Sequence, residues 1–136
     1  MQTIAPHVAL IYVMTIVAAA DGAISARELK AMGDLVRTAP AFAEFEVSRL
    51  ASTTKECADL LREPEGYETV QRLIGESLPH QLRETAYWFA LEVALSDRSV
   101  ALEEVRVLDD LRQQLRIDKL VSAALERAAR ARFHSA

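Results

Sequence analysis

Four acidic residues, arranged as two pairs with the same spacing, are the strongest chemical signal in this sequence. Asp21 and Glu28 are separated by six residues, and Asp97 and Glu104 repeat that Asp-x6-Glu spacing later in the chain. In each pair the aspartate follows an apolar run and the glutamate lies near the start of the next helical segment. Hard divalent cations such as calcium require carboxylates together with carbonyl oxygens from an irregular turn. The four residues are therefore candidate metal ligands at two helix-turn-helix corners.

The first corner contains only part of a calcium-binding loop. Residues 21–28 correspond to the fifth to twelfth positions of an EF-hand loop, whereas the first and third ligand positions fall on Val17 and Ala19. These two side chains carry no oxygen, so an isolated site at one corner is not expected. If the two corners face each other, the four carboxylates, with Glu103 nearby, would form one shared site or two weak ones.

Helix capping offers a second explanation for the same residues. Asp21-Gly22 is a common turn, and Ser25 with Glu28 matches a capping box, in which each side chain binds the other residue's free backbone N–H. The helix dipole also favours acids in a first turn. For Glu28 taken alone, capping is enough to explain both the residue type and its position. Glu104 has no serine three residues earlier, so its presence favours a ligand role for the set.

The composition predicts helices as the elements that position these corners. The chain has 136 residues, is 51% hydrophobic and 26% charged, and contains only four Gly and four Pro. Abundant Ala, Leu, Glu and Arg favour helix over strand, and no segment shows strand alternation. We expect an all-α fold, with residues 1–136 forming one bundle of about seven helices with an internal helix-turn-helix repeat.

Turn residues and caps give approximate helix boundaries. The third predicted helix either continues or breaks across Ser52-Thr53-Thr54, which are poor helix formers, and Asp118 is a plausible N-cap of the last helix. Helices are expected over residues 4–20, 25–39, 42–63, 67–77, 79–96, 102–115 and from 118 onward. Their predicted buried faces include Leu29, Met32, Leu35 and Val36, then Leu102, Val105, Leu108, Leu111 and Leu115, and finally Val121, Ala124, Leu125 and Ala128.

Two segments, residues 8–20 and 87–95, are apolar on all sides and predict the centre of the bundle. The first also resembles a signal peptide, but no Lys or Arg precedes Arg27, and the run is shorter than the roughly 20 residues of a membrane span. We expect a core helix, no membrane span and a cytoplasmic location. The single Cys57, which excludes an internal disulfide, agrees with that location.

Charge and missing motifs exclude several function classes. A net charge of −4 argues against a nucleic-acid surface. His80 and Glu84 could share a metal, but His80 directly follows Pro79 and is expected to be solvated. The arginines near the C-terminus are expected to complement their helix dipole. No phosphate loop, nucleophile elbow or Cys–His pair is present, so we expect no enzyme activity and no catalytic residues.

The acidic pairs belong to a longer internal repeat. Residues 12–37, aligned without gaps on residues 88–113, share six identities in 26 positions, and three of the six are acidic. Shared burial alone would repeat only the apolar positions. The identities are Val17/Val93, Ala18/Ala94, Asp21/Asp97, Glu28/Glu104, Asp34/Asp110 and Leu35/Leu111.

The repeated segments resemble the TerB family of tellurite-resistance proteins. The resemblance covers nearly the whole chain and rests on A-A-A-D-G-A-I-S-x-x-E-L at residues 18–29, A-Y-W-F-A-L-E-V-A-L-S-D at 86–97, and E-E-x-x-x-L-x-x-L-x-x-x-L-x-I-D at 103–118. It implies a helical bacterial protein tied to tellurite resistance and general stress response, with acidic patches that bind a divalent metal. We expect calcium or zinc. The alternative is a protein-interaction module whose acidic surface binds a basic protein partner without metal.

The second corner departs from the first at two positions. Arg98 stands where the first corner has Gly22, and Ala101 stands where it has Ser25. The first change requires a different backbone turn or a strained one. The second is expected to remove the capping box. The second corner is therefore predicted to be the weaker ligand site, with Arg98 partly neutralising it.

Overall fold

The computed structural model describes residues 3–97 and 99–136, and over these ranges the chain forms helices and turns without a strand. The seven α-helices are α1 (Pro6–Ala18), α2 (Ala26–Thr38), α3 (Leu50–Leu61), α4 (Gly66–Ser77), α5 (Arg83–Leu95), α6 (Leu102–Gln114) and α7 (Lys119–Arg132). Short 3-10 turns lie at Pro40–Phe42, Val47–Arg49 and His80–Leu82. The predicted all-α class is confirmed.

Helix α1 is the centre of the bundle, as its uninterrupted apolar sequence predicts. Every residue from Ala9 to Ala18 is buried, and α3, α4, α5 and α6 all pack against the helix. The hydroxyl of the buried Thr15 is satisfied inside the helix, because Thr15 Oγ1 donates to the carbonyl oxygen of Ile11 at 2.7 Å. Across residues 3–97 and 99–136, no helix combines the length and the apolar character needed to cross a bilayer.

The two halves of the internal repeat pack against each other and exchange contacts. Helices α1 and α5 lie side by side, and each half also places its second helix on the first helix of the other half. Thus α2 packs against α5 as well as α1, and α6 packs against α1 as well as α5. This exchange brings the α1–α2 corner and the α5–α6 corner to the same end of the bundle.

Several residues predicted to be buried are exposed. Leu29 in α2 is 51% exposed, and Leu102 and Val105 in α6 are 76% and 50% exposed. In α7 the buried positions are Ser122 and Ala129, whereas the predicted Ala124 and Ala128 are exposed. Helical periodicity defines an apolar stripe, but the stripe is covered only where a neighbouring helix passes over it. Leu29, Leu102 and Val105 lie on the exposed sides of α2 and α6.

The third predicted helix begins later than expected. Two 3-10 turns precede α3, and they place Phe42 and Phe45 in an aromatic cluster with ring centroids 5.8 Å apart. The helix then continues through Ser52-Thr53-Thr54. Thr53 Oγ1 donates to the carbonyl oxygen of Arg49 at 2.8 Å, so its buried hydroxyl is satisfied within the helix.

Candidate functional site

The first corner is built by a glycine turn and a complete capping box. Gly22 has φ +103°, a left-handed conformation that permits the sharp exit from α1. Ser25 Oγ accepts the backbone N–H of Glu28 at 3.1 Å, and Glu28 Oε1 accepts the backbone N–H of Ser25 at 2.9 Å. The predicted capping box is therefore present, and it directs the Glu28 carboxyl group back toward the corner.

The second corner retains half of that capping box. Ala101 has no side-chain acceptor, so the backbone N–H of Glu104 donates to the carbonyl oxygen of Ala101 at 3.0 Å. Glu104 Oε1 still accepts the backbone N–H of Ala101 at 2.9 Å. The reciprocal box is absent at this corner, as the alanine predicts, but its glutamate half persists because that half needs no serine. The predictions for Arg98 fall on a residue outside the described ranges.

Two of the four predicted acids, Glu28 and Glu104, lie close together, and Asp21 is near them without joining the cluster. Glu28 and Glu104 are buried, with exposures of 1% and 2%, and their carboxyl groups lie within hydrogen-bonding reach of each other. Asp21, exposed on the Gly22 turn, is close enough to influence Glu104 electrostatically. Asp97 follows the end of α5 and is half-buried, and no hydrogen bond or ion pair within residues 3–97 and 99–136 joins it to the other three.

Burial and neighbouring charge raise the pKa of Glu104 to about 7. Desolvation is the largest cause, and the carboxyl group of Glu28 and the charge of Asp21 act in the same direction. The backbone N–H of Ala101 lowers the pKa but does not outweigh them. Glu104 Oε2 is buried and has no hydrogen-bond partner in the described part of the chain. The carboxyl pair therefore requires a proton or a cation to balance its charge.

The donor set at this site consists of oxygen atoms. Glu28 and Glu104 supply two carboxyl groups, Asp21 can supply a third from its exposed turn, and the corner residues add backbone carbonyls. Zinc sites favour nitrogen and sulfur ligands, whereas calcium and magnesium favour oxygen. The residues present thus fit a hard cation better than zinc. Within the described ranges, no three His, Cys, Asp or Glu side chains are already clustered to hold an ion, so Asp21 would have to move toward the pair.

The other sequence candidates do not join this site. Cys57 is buried, and burial raises the pKa of its thiol to about 12, so the reactive thiolate form is disfavoured. His80 is exposed in a 3-10 turn. Sequence reasoning missed two polar contacts between helices: Tyr67 donates to Asp110 Oδ2 at 2.7 Å, and Tyr87 donates to Glu126 Oε2 at 2.6 Å. No local signal marks such pairs, because their partners are distant in sequence.

The fold and the corners define an all-helical protein in which two repeated helix-turn-helix units meet through buried glutamates. The family model for the tellurite resistance protein TerB matches residues 7–128. The chain belongs to the TerB family. Neither the curated proteins nor the solved structures gave a match.

Proposed function

We propose that the chain is a non-enzymatic tellurite-resistance-type protein that binds a hard divalent cation, of the calcium class, where its two corners meet. Glu28 and Glu104 are the central ligands, Asp21 is the third, and Asp97 is the outermost candidate. The observation that carries the proposal is the contact between the two buried carboxyl groups, one of which has an oxygen without a hydrogen-bond partner. Family membership supports the tellurite-resistance assignment.

Electrostatics gives the physical reason for a cation at this point. Two carboxylates that meet in a buried space repel each other, and each also loses the solvation it has in water. Either a proton or a metal ion removes this cost, and a divalent ion balances both charges at once. When bound, the ion would supply charge neutralisation and a link between the α1–α2 and α5–α6 units. Glu28 and Glu104 would hold it while keeping their Oε1 atoms on the backbone N–H groups.

The alternative of a basic protein partner without metal receives less support. A partner's lysine or arginine cannot reach Glu28 or Glu104, because both side chains are almost completely buried. Only the exposed Asp21 and Glu103 and the half-buried Asp97 remain at the surface of the corners. Isolated surface ion pairs contribute little, typically about 0.2–1 kcal/mol each. The buried pair therefore favours an ion over a protein ligand at this site.

The cellular role is proposed from the family. A bacterial stress response that includes tellurite resistance fits a TerB-family chain. The buried corner offers a place for an ion to stabilise the fold, and it does not present a nucleophile beside a general base. We therefore propose a cytoplasmic binding protein without a chemical step of its own.

Isothermal titration calorimetry with calcium, magnesium and zinc tests the proposal. The wild type should bind calcium saturably, and Glu28→Gln combined with Glu104→Gln should abolish the heat of binding. Glutamine keeps the capping acceptor at both helix starts, so the variant should stay folded. Glu103→Gln removes an exposed acid from the same turn as Glu104 and is the matched control. Equal calcium binding by the double variant and the control would disprove the site.

A further inference from the structure

A groove separates α6 from α7 on the side of the molecule away from the core. Both helices pack against α5, but they scarcely touch each other. Helix α5 forms the floor of the groove, and the cavity between the walls measures about 600 Å³. Binding sites for small molecules have volumes of roughly 300–1,000 Å³. The groove is therefore large enough for a small ligand.

The groove is apolar along most of its length. Val105, which the helical pattern predicts to be buried, is half exposed at its edge. Ser122 and Ala123 leave the α7 wall shallow, because their side chains are small. The apolar lining consists of Leu91, Ala94, Leu95, Val100, Val105 and Leu108. Covering such a surface with hydrocarbon is favourable, because it removes apolar area from water.

Two cations lie at the ends of the α7 wall. Lys119 and Arg130 lie on the same face of α7, about three turns and roughly 16 Å apart along the helix axis. Within residues 3–97 and 99–136, neither has a carboxylate within ion-pair distance. The α7 wall thus carries a cation near each end, beside the apolar floor formed by α5.

The acids that line the groove are already engaged. Asp109 accepts from Arg112 at 2.8 Å and from Gln113 at 3.0 Å, and Glu126 accepts the Tyr87 hydroxyl at 2.6 Å. Arg112 balances Asp109, and Glu126 keeps its negative charge because its partner is a neutral hydroxyl, so Lys119 and Arg130 leave the lining with a net charge of +1 (three cations less two carboxylates), although the chain as a whole has a net charge of −4. This local sign favours an anionic ligand.

We propose that the groove between α6 and α7 binds a small amphipathic anion, specifically a single-chain acyl carboxylate. The hydrocarbon chain lies on α5 between Leu91 and Leu95, and the carboxylate pairs with Lys119 or Arg130. Each buried methylene group adds to the favourable burial of apolar surface, so the apolar contact supplies most of the affinity and the cations select the charge. This binding is separate from the cation site, which lies between the two corners.

Titration with decanoate, kept below its micellar concentration, tests the proposal by calorimetry and by amide NMR spectra. One decanoate should bind per chain, and the shifted amides should belong to groove residues. Ala123→Trp should weaken binding about tenfold or more, equivalent to about 1.4 kcal/mol, because the indole occupies the groove. Ala123 is exposed, so the larger side chain does not disturb the core. Ala124→Trp, exposed on α7 but outside the groove, is the matched control and should bind as the wild type does.

Charge selection is tested separately. Lys119→Gln and Arg130→Gln should each weaken decanoate binding roughly two- to fivefold, the range of one exposed ion pair. Arg127→Gln, outside the groove on the same helix, should have no effect. Decanol and decyltrimethylammonium should bind more weakly than decanoate. Unsaturable decanoate binding, equal binding by Ala123→Trp and Ala124→Trp, or decanol binding as tight as decanoate would each overturn the proposal.

Discussion

Glu28 and Glu104 come from different halves of the chain, yet their buried carboxyl groups lie within hydrogen-bonding reach of each other. Each carboxyl group also accepts the backbone N–H three residues before it, at 2.9 Å in both cases. The same two side chains therefore begin their helices and join the two repeats. A local capping role and a shared electrostatic site are not exclusive, because each carboxyl group has two oxygens.

The first prediction concerns pH. Because the pKa of Glu104 is raised from 4.5 to about 7, the folded chain keeps a proton that the unfolded chain releases. The contribution of this proton to the free energy of unfolding is complete below pH 4.5, falls as the pH rises to about 7, and is lost above that. The loss from this group is at most about 3 kcal/mol. Urea unfolding across this range, with metal removed by a chelator, measures it.

Glu104→Gln should remove that pH dependence. Glutamine stays neutral and can donate its amide to Glu28, so the variant should equal the wild type near pH 4.5 and be more stable above pH 7. Glu103→Gln, in the exposed part of the same turn, should leave the slope unchanged. A Glu104→Gln protein that is less stable than the wild type above pH 7 without metal would contradict the electrostatic account.

The second prediction separates the two aspartates. The charge of Asp21 raises the pKa of Glu104, so Asp21→Asn should lower that pKa. Asp97 has no described contact with Glu104, so Asp97→Asn should leave the pKa nearly unchanged. NMR titration of the Glu104 carboxyl carbon measures both effects, and a larger change from Asp97→Asn would show that the corners are arranged differently.

The third prediction concerns metal and stability. An ion that binds only the folded chain stabilises it by about 2.7 kcal/mol at a hundredfold excess over its Kd. Calcium should therefore raise the melting temperature of the wild type, and a chelator should reverse the increase. The combined Glu28→Gln and Glu104→Gln variant should melt at one temperature with or without calcium. A calcium-induced increase that survives in this variant would place the ion elsewhere.

The fourth prediction compares two glycines. A Cβ atom at Gly66, where α4 begins, would collide with the carbonyl oxygen of Leu60. Gly66→Ala should therefore destabilise the fold by about 1–3 kcal/mol. At Gly33 the nearest atom to a Cβ is Arg37 Nη1 at 3.2 Å, the end of a flexible side chain. Gly33→Ala should be neutral or stabilising by up to about 1 kcal/mol, because alanine favours helix. Chemical denaturation measures the free energy of unfolding of both variants. It shows whether the close approach of the Leu60 carbonyl oxygen excludes a side chain at position 66.

The parts of the fold that depend on residues close together in the sequence could be predicted from the sequence. Uninterrupted apolar residues placed α1 at the centre, and Ser25 and Asp118 were recognised as caps, with Asp118 Oδ2 accepting the backbone N–H of Leu120 at 3.1 Å. The helix starts at α3 and α5 were placed too early, because 3-10 turns precede both helices. Short 3-10 turns have nearly the same local sequence preferences as the first turn of an α-helix.

By itself the sequence determined the helical class, the seven helices and the two repeated acidic corners, because helical periodicity and capping act over a few residues. Only the tertiary structure decided that Glu28 meets Glu104 and that Val105 lines an open groove. Those outcomes depend on α2 crossing to α5 and α6 crossing to α1. Packing between distant segments determines which side of an apolar stripe is covered and which carboxyl groups lose their water.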